Sequence, residues 1–258
     1  MKIDGKKIAE KIISGLRRLP KPDRLLSAIL VGNNPQSLSF LKQKEGMAES
    51  LGVSFHLYRF DESITQNDLI SEIKKIGDDP EVGGMIIQLP LPAHYDRDAA
   101  LAAINPKKDI DAMTSEGRKL VSALPVEVIK DVLDSIGQDI SNKEVAVVGR
   151  GFLVGKPIME WLDSYGKSYK ALNSKSDISE IRGSDVIITG VGKAGIIKQE
   201  HVGSGCGVID FGYDLIDGKI KGDFIPDESF SGWYTPTPGG TGPVLVAEIF
   251  KNFYKLNK

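Results

Sequence analysis

Three glycines, Gly149, Gly151 and Gly155, interrupt the segment Val145-Ala-Val-Val-Gly-Arg-Gly-Phe-Leu-Val-Gly-Lys-Pro157 between an apolar β-branched run and a helical pattern. At a strand-to-helix junction, glycines let the backbone approach a pyrophosphate that faces a helix N-terminus. The spacing G-x-G-x-x-x-G is one residue longer than the standard dinucleotide fingerprint, and Pro157 suits a first helical turn. NAD-binding units carry an acidic residue about 20 positions further on, where it holds ribose hydroxyls. Here that neighbourhood reads Asn173-Ser174-Lys175-Ser176, with Asp177 one step late. Hydroxyls and a cation suit a 2′-phosphate, and Arg150 in the glycine turn adds a second cation, so NADP is favoured over NAD. Two more turns, Thr189-Gly-Val-Gly-Lys193 and Asp210-Phe-Gly-Tyr213-Asp214, follow apolar runs. They are either ordinary turns or places where backbone approaches the nicotinamide end.

A second set of polar residues lies upstream. Phe40 and Lys44 share one helix face at i, i+4 spacing, and a lysine on a core-facing stripe is unusual. Gln88 ends the apolar run Gly84-Met-Ile-Ile-Gln88-Leu-Pro-Leu-Pro92. Asp111 lies in the loop Lys108-Asp-Ile-Asp111-Ala, and Thr235-Pro-Thr-Pro238-Gly239-Gly-Thr-Gly-Pro243 forms a rigid turn before the last helix. The histidines, His56, His94 and His201, are scattered with no zinc spacing and no nucleophilic triad, so no metal is expected. Cys206 stands alone, which excludes a disulfide framework and suits a structural role.

The elements that must position these groups alternate. Helices are expected over 5–18, 37–51 and 66–76, with strands over 25–32, 53–60 and 84–89. Residues 105–122 read as a loop, followed by a helix over 126–136. Strands at 145–148, 169–172, 186–189 and 207–211 and a last helix over 244–254 complete the chain. Strands alternating with helices imply mostly parallel sheets, and continuously apolar strands imply cover on both faces. A net charge of −2 gives no reason to expect nucleic acid or an anionic membrane as partner. With no apolar signal core and no apolar run near ~18 residues, a soluble cytoplasmic protein is expected.

At this point the chain resembles the bifunctional methylenetetrahydrofolate dehydrogenase/cyclohydrolase family. The resemblance rests on Asp4-Gly5-Lys6-Lys7-Ile8-Ala9, on Val31 to Ser37 with Phe40-Leu-Lys-Gln-Lys44, on Gln88 to Pro92, and on Lys108 to Ala112. It continues through Gly149 to Pro157, Asn173 to Ser176, Val208 to Tyr213, Gly222-Asp223 and Thr235 to Pro243, in one order over almost the whole chain. It implies oxidation of 5,10-methylenetetrahydrofolate with NADP, then hydrolysis of the methenyl product to 10-formyltetrahydrofolate. The alternatives are a dehydrogenase with impaired cyclohydrolase, or a degenerate nucleotide-binding protein without turnover.

By that resemblance Lys44 matches the catalytic lysine, Gln88 the glutamine that hydrogen-bonds it, and Asp111 the carboxylate that anchors the pterin. Phe40, Pro238 and Gly239 fall on substrate-binding positions. Gly149, Arg150, Gly151, Ser174 and Tyr213 fall on cofactor-binding ones, Arg150 and Ser174 at the 2′-phosphate. The family's tyrosine is Phe40 here, its loop glycine is Ala112, which suggests an altered turn, and of its P-C-T-P segment only Pro125 remains. The resemblance implies two α/β domains with a cleft between them. Residues 1–120, with 243–258 packing back, would form the folate domain, residues 121–242 a Rossmann-like NADP domain, and the protein would be a homodimer.

Overall fold

The computed structural model describes all residues from Met1 to Lys258. It contains helices α1 (Gly5–Leu16), α2 (Pro35–Leu51), α3 (Gln66–Asp78), α4 (Arg97–Ala102), α5 (Gly117–Leu120), α6 (Leu124–Ser135), α7 (Gly155–Ser164) and α8 (Thr241–Leu256). Its strands are β1 (Leu25–Val31), β2 (Phe55–Phe60), β3 (Val82–Ile87), β4 (Val145–Val148), β5 (Tyr169–Leu172), β6 (Val186–Thr189), β7 (Gly207–Asp210), β8 (Asp214–Ile216), β9 (Lys219–Lys221) and β10 (Trp233–Tyr234). The chain divides into two compact units, one of Lys11–Leu124 with Val246–Lys258, the other of Met1–Glu10 with Pro125–Leu245.

The first unit is built on a parallel three-stranded sheet, order β2-β1-β3. Central β1 is buried from Leu26 onward and β3 along its whole length, as two-sided cover requires. Asn34 caps α2 by accepting from the Gln36 and Ser37 amides, and Pro35 occupies the first turn. The helix therefore starts two residues before the expected Ser37. Gly52 ends it in the left-handed conformation, φ 65°. Ser37, Leu41, Lys44, Ala48 and Leu51 form its buried stripe, which puts an ammonium in the middle of a core-facing row.

The second unit holds a parallel five-stranded sheet, order β10-β7-β6-β4-β5, and a small antiparallel β8–β9 hairpin. In this order β4 has the next strand, β5, on one side and the later β6 on the other. That reversal is the topological switch point of a Rossmann-like sheet, where ligands bind beyond the carboxyl ends of strands. Ala146, Val148, Leu172, Ile187 and Val208 from four adjacent strands pack into one core with Ile181, Ile197 and Phe224.

Three differences from the sequence reading have identifiable physical causes. Residues 1–10 group with the five-stranded unit instead of the folate half, because Ile3 N–H donates to the Tyr234 carbonyl and Gly5 N–H to that of Gly239. A pattern of apolar residues cannot reveal a pairing more than 200 positions away. The stretch read as a loop, 105–122, contains a short 3-10 turn at Pro106–Lys108 and the one-turn α5, both too short to show periodicity. Helix α8 extends the expected 244–254 at both ends, and its part from Val246 groups with the three-stranded unit. There, Asn252 Nδ2 donates to the Ile110 carbonyl at 2.9 Å.

Candidate active site

In the three-stranded unit, Lys44 from the buried stripe of α2 meets Gln88, the first residue beyond β3. The Lys44 Nζ donates to Gln88 Oε1 at 2.9 Å. Gln88 Nε2 donates to its neighbour's carbonyl, Leu89 O, at 2.7 Å, which fixes the amide with its oxygen toward the lysine. Gln88 N–H continues the ladder by donating to Ile29 O. The amide is thus held at both its backbone and its side chain.

Asp111 completes the cluster electrostatically. Lys44, Gln88 and Asp111 are only 8%, 6% and 8% exposed. Burial pulls the Lys44 ammonium below its ordinary range, and the charge of Asp111 partly restores it. Burial pushes the Asp111 carboxyl up to about 6, with Lys44 opposing and Asp109 adding to the rise. Burial therefore moves both groups toward their neutral forms, and each one's charge partly offsets the other's shift.

The two carboxylates of Lys108-Asp-Ile-Asp111 divide the work. Fully buried Asp109 accepts from the amides of Met113 and Thr114, at 3.0 and 2.7 Å, and from the Thr114 hydroxyl at 2.7 Å. It ties up the turn. Asp111 Oδ1 is buried with no hydrogen-bond partner. A buried carboxylate oxygen left unpaired is costly in a protein that binds nothing there, and suits a donor arriving with a ligand. The adjacent Ala112 has φ 54°, the left-handed region that glycine favours. The alanine has not redirected this turn as expected from its type; the backbone takes a glycine-like conformation at a cost of ~1 kcal/mol. Phe40 is half-buried, one turn before Lys44 on α2.

The five-stranded unit presents different chemistry. Gly149, at the end of β4, has φ 92°, which demands glycine. A Cβ on Gly155 would lie 1.9 Å from Gly149 O, so helix α7 packs against the turn only with glycine there. A Cβ on Gly151 would meet nothing within 4 Å, and no side chain caps α7. An open backbone turn before an uncapped helix start fits a pyrophosphate. Exposed Arg150 donates from its guanidinium to the carbonyl of Ala171, on β5. Ser174 is exposed just beyond β5, which pairs with β4 in the sheet. Asp177, the late acidic residue, caps the following 3-10 turn by accepting from Ser179 N–H at 2.9 Å, so it is committed to local structure.

Tyr213 follows the β7 turn and is half-buried. Pro238 and Gly239 belong to this unit too, in the turn before α8; Gly239 has φ 96°, and its carbonyl accepts from Gly5 N–H. The structure gathers Lys44, Gln88 and Asp111 in one unit and the remaining candidates, apart from Phe40, in the other. Cys206 is buried and its thiol is pushed up to about 12, which leaves it inert as a nucleophile. No helix is long and apolar enough to cross a membrane.

Residues 3–111 match the family described as tetrahydrofolate dehydrogenase/cyclohydrolase, catalytic domain, and residues 123–258 match its NAD(P)-binding domain. The chain belongs to the FolD family of bifunctional methylenetetrahydrofolate dehydrogenase/cyclohydrolases. It is 33% identical to the bifunctional protein FolD of Macrococcus caseolyticus over 97% of this chain and 95% of that protein. Among solved structures it is similar to the FolD enzyme of Campylobacter jejuni, with a TM-score of 0.92 and 29% identity over 100% of this chain and 98% of that one. It is also similar to the FolD of Trypanosoma brucei complexed with NADP cofactor and inhibitor, with a TM-score of 0.90 and 26% identity over 99% and 96%. Two residues of the FolD chain escaped the sequence reading. Asp109 looks like any loop acid; its signal was the Thr114 hydroxyl five positions on. Asn252 is an amide on the buried face of an apolar helix, which was the available clue.

Proposed function

We propose that this FolD-family enzyme oxidises 5,10-methylenetetrahydrofolate with NADP and hydrolyses the methenyl product to 10-formyltetrahydrofolate, using Lys44, Gln88 and Asp111. The observation that carries this reading is the buried Lys44–Gln88 hydrogen bond beside a carboxylate oxygen with no partner. Arg150 and Ser174 would hold the 2′-phosphate, and Gly149 and Gly151 would let the pyrophosphate reach the backbone. Tyr213 is assigned to the same cofactor, and Phe40, Pro238 and Gly239 to the folate. The commitment of Asp177 to a cap supports NADP over NAD, because no acid remains at the tip of β5 for ribose hydroxyls.

NADP, when bound, supplies the hydride acceptor. Loss of hydride leaves positive charge on the folate between two nitrogens. A fully charged ammonium nearby would oppose that, and burial of Lys44 lowers its charge. Asp111 accepts from the pterin's amino and ring N–H groups, a charge-assisted pair. In the hydrolytic step one Lys44 N–H is engaged by Gln88, which leaves the nitrogen lone pair for a water proton. As the water oxygen bonds to the bridging carbon, Lys44 takes that proton. The C–N5 bond then breaks, the new hydroxyl proton passes to N5, and the oxygen becomes the formyl carbonyl on N10. Lys44 returns its proton to solvent, which balances the reaction.

Family resemblance supports a cytoplasmic homodimer formed through the five-stranded unit; sedimentation equilibrium tests the dimer. For the reaction, protein is mixed with NADP and methylenetetrahydrofolate and followed by absorbance. Reduced cofactor with transient methenyl product is expected. Reduced cofactor with persisting methenyl product overturns the hydrolytic half, and no change despite cofactor binding overturns both.

A further inference from the structure

We propose that Asp223 is a positioning residue for the cofactor, setting the Gly190–Lys193 turn against which the nicotinamide end rests. The proposal rests on the cofactor reading above. Asp223 is fully buried, and its carboxylate accepts from one turn alone: Thr189 Oγ1 and Val191 N–H on Oδ2, both at 2.7 Å, and Lys193 N–H on Oδ1 at 2.8 Å. Burying a carboxylate is expensive unless it is hydrogen-bonded, and an apolar residue would fill the space at lower cost. What the acid provides is the conformation of the end of β6 and the four residues after it, Gly190 to Lys193.

That turn borders the switch point. A Cβ on Gly149 would lie 3.1 Å from Val191 Cγ2 and 3.2 Å from Gly190 O, so the turn touches the glycine-rich loop directly. A Cβ on Gly190 would lie 2.5 Å from Val154 Cγ1, just before α7. Val191 is 41% exposed at the tip, an apolar surface held out beside the backbone that would take the pyrophosphate. The carboxylate is itself locked. A Cβ on Gly212 would lie 2.3 Å from Asp223 Cγ, and Asp210 accepts from the amides of Gly212 and Phe224, at 2.6 and 2.9 Å. Asp210 therefore fixes the residues on both sides of Asp223, while Asp223 fixes the turn.

Asp223→Asn places an amide donor where at least one of the three donors now points. Thr189→Val removes one hydrogen bond at nearly constant volume. NADP dissociation constants, steady-state parameters and amide exchange of Val191 and Lys193 are measured for both variants and the wild type. The expected result is tenfold or greater weakening of NADP for Asp223→Asn and about threefold for Thr189→Val. The KM for NADP rises, the folate KM at saturating NADP stays within twofold, and both amides exchange faster. If Asp223→Asn does not fold, Thr189→Val carries the test. Faster exchange with wild-type NADP affinity would overturn the proposal and mark Asp223 as a fold residue only. Wild-type protein that fails to bind NADP would end the cofactor reading itself, and this proposal with it.

Discussion

The two units use polar groups in opposite ways. In the three-stranded unit the candidate chemistry sits on side chains withdrawn from water: Lys44, Gln88 and Asp111 are each less than 10% exposed. In the five-stranded unit it sits on backbone and on exposed side chains, with Arg150 and Ser174 in solvent and the glycines of the β4–α7 turn bare. Proton transfer near neutral pH is helped by a lysine below its ordinary pKa, and here burial is the first cause lowering it. Phosphate recognition needs access, aligned N–H groups and cations that stay charged. On the proposed site assignments, one chain would meet both demands by segregating them into separate sheets.

The largest effect should come from removing the proposed base, buried Lys44. Lys44→Met keeps the volume of the stripe and should lower methenyl hydrolysis by ~10²–10⁴-fold, while NADP affinity stays at the wild-type value. A parallel fall in NADP affinity would break the separation between the units.

Next is Asp111→Asn, which should raise the folate KM by ~10–100-fold, the worth of a charge-assisted hydrogen bond. The same variant should gain stability over the wild type between pH 4 and pH 8, by up to about 3 kcal/mol. The folded carboxyl titrates at about 6, above its ordinary 3.8. Its raised value contributes stability below pH ~4 that is lost as pH rises through 6, so the advantage of asparagine should grow over that window. Wild-type folate KM should rise as pH falls through 6, as the acceptor charge disappears. Thermal melts at several pH values and KM profiles check both signs; a stability difference independent of pH would remove burial as the cause.

Gly155→Ala probes the other unit, where backbone proximity matters. Its Cβ would lie 1.9 Å from Gly149 O, and relief should cost ~1–3 kcal/mol of stability with weakened NADP binding. Folate-site ligands should bind as before, which calorimetry can test. The smallest effect belongs to exposed Arg150: Arg150→Ala should reduce the preference for NADP over NAD about tenfold and make NADP binding less sensitive to salt. An unchanged preference would assign discrimination to Ser174 and Lys175 instead.

Much of this contrast was legible in the sequence, unevenly. Strands β4, β5 and β6 are predicted to the residue, β4 and β6 because short apolar runs are bounded by an acidic residue and a glycine, β5 because its short run stops at Asn173. The β8–β9 hairpin was missed although its turn, Asp217-Gly218, carries a type I′ signal and both residues have positive φ, 51° and 72°. Three-residue strands with exposed Leu215 and Ile216 show too little alternation to register. Strand β10 has two residues and exists only by pairing with β7.

What the sequence determined by itself was local. Glycine positions fixed the β4–α7 turn, and helical periodicity put Lys44 on a buried stripe, because backbone freedom and side-chain spacing are properties of neighbouring residues. Family motifs pointed to Asp111, but only the tertiary structure shows why: Asp109, two positions earlier, is spent on its own loop, and Asp111 is left with an unpaired oxygen. The motifs likewise matched Gln88 to Lys44, 44 positions away, but the geometry of that bond and the loss of water from Lys44 and Asp111 belong to the tertiary structure. Desolvation depends on what packs around a group from every direction, and no window of sequence contains that information.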